Sequence, residues 1–90
     1  MNTHILSYDL VRPGKDYSNL ITHLKSYTKW AKPLESVWLL KTSLTAEQVR
    51  NAAMTHVDTN DKLIVIDVTS RPAAWFKLPA DVSAWIKSSL

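Results

Sequence analysis

At 90 residues the chain has room for one domain and a modest core, so a partner chain is a live expectation from the outset. A composition of 46% hydrophobic and 21% charged residues excludes a disordered tail, the lack of cysteine excludes a disulfide framework or thiolate zinc site, and a single glycine excludes a phosphate-cradling loop. Eleven Lys plus Arg against eight Asp plus Glu leave +3, a mild bias toward polyanions. With neither a leader-like amino terminus nor an 18-residue apolar run, the expectation is a cytoplasmic protein without membrane contact.

The first element is the stretch from His4 to Val11. Leu6, Tyr8 and Leu10 alternate with Ile5, Ser7 and Asp9, the two-residue period of a strand that ends on a carboxylate. Arg12-Pro13-Gly14 supplies a turn, and Asp16 can cap a helix. Tyr17, Leu20, Ile21, Leu24 and Tyr27 then recur at three-to-four spacing, which predicts a helix from Tyr17 to Lys29. The aromatic and branched residues that follow predict a short edge segment from Ala31 to Glu35, where Pro33 is tolerated, and a longer strand from Ser36 to Thr42.

Thr45-Ala-Glu-Gln48 has the form of a capping box and opens a second helix with Ala46, Val49, Ala53 and Val57 inward. Asp58 to Asp61 is turn chemistry. The run Leu63-Ile-Val-Ile66 makes Lys62 to Thr69 the clearest strand, and its unbroken apolarity predicts cover on both sides. Beyond Arg71-Pro72 lies an aromatic segment with Trp75 and Phe76, and Pro79 starts a final helix with Val82, Trp85 and Ile86 on one stripe.

This order predicts one α+β domain over residues 1–90: a ferredoxin-like split β-α-β sandwich, sheet order 4-1-3-2, with two helices on one side and a C-terminal helix added. Two helices shield one side of a sheet that is apolar on both. The second side is covered either by the terminal helix or by a second molecule. A homodimer using Trp38, Trp75, Phe76 and Trp85 is the favoured solution.

With Tyr8-Asp9-Leu10, Ser36-Val-Trp-Leu39 and Leu44-Thr-Ala-Glu-Gln-Val49 in this arrangement, the chain resembles the second protein of the CRISPR adaptation module and its relatives, including VapD-type toxins, over residues 4–69. The resemblance implies a ferredoxin-like homodimer that engages RNA or DNA, either as a Mg²⁺-dependent endonuclease or as a non-catalytic scaffold. It further implies an integrase or an antitoxin as partner. Carried over by position, Asp9 matches a strand-end aspartate that binds Mg²⁺ beside its dimer mate, and Ser36 matches the serine before an aromatic residue.

The residues themselves place Asp9 beside Ser36 and the Asp61-Lys62 corner, oxygen ligands that suit Mg²⁺, with a two-fold axis supplying a second Asp9. The competing reading is an aspartate that ends a strand and accepts turn hydrogen bonds. Lys25, Lys29, Trp30 and Lys32 form a basic cluster with an aromatic, and Arg12 and Lys15 a second group; each is a phosphate contact or a solvated end. Trp38, Trp75 and Trp85 read as core and interface rather than stacking platforms. His4, His23 and His56 share no metal spacing and read as structural or surface residues, with His4 placed to pair with Asp67 across strands.

Overall fold

The computed structural model describes residues 1–11 and 17–90. The turn at Arg12 to Gly14, Lys15 and the Asp16 cap lie outside the described residues. The elements follow the order β1 (Asn2–Asp9), α1 (Ser18–Lys25), β2 (Lys29–Leu34), β3 (Val37–Thr42), α2 (Ala46–Met54), β4 (Lys62–Asp67) and α3 (Ala80–Ser89). The four strands form one antiparallel sheet in the order β2-β3-β1-β4, the expected arrangement of an α+β ferredoxin-like fold.

The alternation in β1 sets the two layers. Leu6 faces α1 and α2, packing with Leu20, Leu24, Trp38, Leu40, Val49 and Ala53 into a fully buried cluster, with Tyr8 and Leu10 at its border. The opposite side chain, Ile5, belongs to a second cluster built on Ala31, Leu39, Val82 and Ile86, to which Trp75 and Trp85 also contribute. Thus α3 lies on the vacant side of the sheet, over β2 and β3, and the hydroxyl of Thr3 donates to Ser89 O at 3.3 Å.

This cover is incomplete. On β4, Ile64 and Ile66 alternate outward on the α3 side and remain 55% and 49% exposed, so the expected burial of that strand on both sides does not hold within one chain. A ten-residue helix spans about 15 Å, enough for part of a four-strand sheet only. Trp38, expected at a dimer interface, instead has no exposed surface and sits on the α1–α2 side.

Several boundaries differ from expectation: β1 runs from Asn2 to Asp9 rather than from His4 to Val11, and β4 stops at Asp67 rather than Thr69. Helix α1 stops at Lys25 rather than Lys29, since Lys29 and Trp30 enter β2 opposite Lys41 and Leu40. Strand β2 begins earlier and β3 later than predicted, because Glu35-Ser36 is a tight turn and not part of a strand. The register of β2 shifts between Ala31 and Leu34, around Pro33, which has no N–H to offer the ladder.

The capping box of α2 is present in full: Gln48 N donates to Thr45 Oγ1 at 3.2 Å and Thr45 N to Gln48 Oε1 at 2.9 Å. Thr45→Ala is expected to cost about 0.5–2 kcal/mol in chemical denaturation. Unchanged stability would mean that these bonds merely replace equivalent bonds to water.

Candidate nucleic-acid interface

Strand β2 is an outer edge, and residues 30 and 32 of an alternating strand project to the same side of the sheet. That geometry assembles the predicted basic-aromatic cluster. Lys25 Nζ, from the end of α1, lies 5.5 Å from the centroid of the Trp30 ring. The Trp30 and Trp38 rings are 5.4 Å apart at 48°, and Lys32 Nζ lies 5.5 Å from the centroid of the Trp38 ring. Both cations are within the range at which an ammonium is drawn to the face of an indole.

The row is anchored from below, where Trp38 Nε1 donates to the Tyr8 hydroxyl at 3.2 Å. Trp38 is a buried support, while Trp30 is 37% exposed and presents the available ring. Lys29 faces the α3 side opposite Lys41, and Lys41 Nζ donates to Ser89 O. Among the described residues, Lys25, Lys29 and Lys32 take part in no ion pair, so their charge is free for an anion.

The Asp9 corner forms as expected in outline. Asp9 pairs with Lys62, and Tyr8 N donates to Ser36 O at 3.2 Å. Asp9, Glu35, Ser36 and Lys32 border one shallow depression at the end of the sheet. Asp61 ties the corner together: Oδ1 accepts from Val11 N at 2.9 Å and from the Tyr17 hydroxyl at 3.0 Å, and Oδ2 from Asp58 N at 2.7 Å. Among the described residues no three His, Cys, Asp or Glu side chains are placed to hold one metal ion. The depression thus holds two carboxylates, Asp9 and Glu35, with Lys32 as a competing cation beside them.

The histidines are only partly legible in the sequence. His4 faces Asp67 across the ladder as expected, but its Nε2 donates to Leu44 O at 2.8 Å. The Asp67 carboxylate is taken by the hydroxyl and backbone N–H of Thr69, which hold its pKa below the usual value. His23 and His56, 33 positions apart, meet at the ends of α1 and α2 with ring centroids 4.8 Å apart, a contact that no sequence spacing announces.

Burial first, and then the neighbouring His56, lowers the His23 pKa below 6.5. Because the unfolded chain takes up the proton at His23 more readily, the neutral His23 ring favours folding above about pH 6.5, and that contribution is lost as the pH falls toward the native His23 value. His56→Gln is expected to raise the His23 pKa in an NMR titration. A His23 pKa unmoved by that change would remove the coupling.

Comparison with protein-family models, with curated proteins and with solved structures finds no match.

Proposed function

We propose that the chain is a nucleic-acid-binding module that acts as a homodimer and holds a single strand along β2. The observation that carries this reading is the row Lys25, Trp30, Trp38, Lys32 on an outer edge: cations for phosphates flanking one exposed ring on which a base can stack. Such contacts are tolerant of sequence and weaken steeply with salt.

The uncovered Ile64 and Ile66 support the second copy. Strand β4 is the other outer edge, and antiparallel pairing of two β4 strands sets the Lys62 end of one against the Asp67 end of the other, matching opposite charges. An axis through Val65 would leave the two Asp9 residues more than about 20 Å apart, since each pairs with Lys62 three residues from the centre. This interface therefore goes with a scaffold and not with paired-carboxylate cleavage.

Fluorescence anisotropy with labelled single-stranded RNA and DNA tests the reading. Binding at low salt that fades as salt rises is expected, and no binding even at low salt would dispose of it. In the same samples, Mg²⁺-dependent cleavage abolished by Asp9→Ala would favour the endonuclease over the scaffold. For the dimer, Ile66→Lys is expected to convert a two-chain particle into a single chain in sedimentation while leaving the far-ultraviolet circular dichroism unchanged. A wild-type chain already monomeric at micromolar concentration would remove the dimer.

A further inference from the structure

On the α3 side of the sheet, segment 71–78 overhangs a groove of about 410 Å³, within the size range of small-molecule sites. Ile5 and Leu39 form its floor, Ile86 and Leu90 one wall, and Trp75 and Phe76 the rim. Its lining side chains are apolar apart from one charged group, Arg71. Among the described residues this guanidinium makes no ion pair, and no hydrogen bond of its side chain is present.

The overhang is held in place rather than loosely draped. Trp75 Nε1 donates to Ser83 Oγ on α3 at 3.1 Å. Ser70, just before the segment, and Lys77, within it, take positive φ values of 56° and 59°, a conformation disfavoured for residues with a Cβ. The Phe76 ring on the rim is 82% exposed.

We infer that this groove binds an amphipathic carboxylate, an apolar chain lying over Ile5 and Leu39 with its carboxylate on Arg71. One planar guanidinium matches one carboxylate through two parallel hydrogen bonds, whereas the apolar lining offers a polar tail nothing. Pro33 and Leu34 of β2 line the groove, but the Trp30 and Lys32 side chains project to the opposite side of the sheet, so the inference is separate from the proposed strand-binding row. It is also independent of pairing through β4.

Decanoate is the probe. Isothermal titration of the full chain with decanoate, decanol and decylamine, below micellar concentrations, is expected to show one saturable decanoate site per chain. Decanol and decylamine should bind at least about tenfold more weakly, Arg71→Gln should weaken decanoate about tenfold, and Arg71→Lys should recover part of the loss. Amide and indole NMR shifts should localise to Ile5, Val68, Ala73 and Trp75. The inference is overturned if decanoate does not saturate, if decanol binds as well as decanoate, if Arg71→Gln changes nothing, or if self-association closes the groove to decanoate and so assigns it to a second copy.

Discussion

Trp38→Ala is expected to lower the unfolding free energy by about 3–5 kcal/mol, a large share of the roughly 5–15 kcal/mol that a small domain has in total. Trp38 is fully buried between β3 and the α1–α2 layer, it carries the Trp30 ring, and its Nε1 donates to the Tyr8 hydroxyl. Truncation opens a cavity in the main cluster and leaves that hydroxyl without its donor. Trp38→Phe keeps most of the apolar volume and should cost distinctly less. Denaturant unfolding followed by circular dichroism separates the two variants. A loss below about 1 kcal/mol for the alanine variant would mean that the residue is not the keystone of this layer.

The second large effect is on binding. Replacing Lys25, Lys29 and Lys32 together by glutamine is expected to flatten the dependence of log affinity on log salt by about 1.4, near 0.7 for each of the two single-strand phosphates that Lys25 and Lys32 would hold, Lys29 facing the opposite side of the sheet. The fold should be indifferent, because all three side chains are exposed and lie outside ion pairs. Oligonucleotide titrations at several salt concentrations provide the slope. A slope equal to that of the wild type would show that the phosphates are held elsewhere, whatever happens to the affinity at one salt concentration.

Particular residues show which parts of the architecture are readable in sequence. The alternation through Ile5 to Leu10 identifies β1 and its two sides, and the Thr45–Gln48 pair marks the start of α2, because each is a local pattern with a local cause. The end of α1 is not local: strand pairing of Trp30 with Leu40 competes with the helical periodicity and wins from Lys29 onward. The Glu35-Ser36 turn lacks the glycine or asparagine that usually announces a hairpin, so nothing in the neighbouring residues marks its position.

The candidate site divides in the same way. The basic-aromatic cluster is legible because Lys25 to Lys32 are close in sequence, whereas the support of Trp30 by Trp38 depends on the β2–β3 register. The unbroken run Leu63 to Ile66 reports an apolar strand correctly but cannot say whether its outer side is covered by the same chain. Where α3 falls on the sheet decides that, and it falls over β2 and β3. The meeting of His23 with His56, and the groove under segment 71–78, arise from packing between elements far apart in the chain.

The most direct measurement of the β2 reading is photocrosslinking of a 5-iodouracil single strand to the chain, with the attached peptide identified by mass spectrometry. Attachment to Trp30, reduced in the triple lysine variant, is the predicted result. Attachment only to Trp75 or Trp85 on the α3 side, with the peptide around Trp30 untouched, would contradict it.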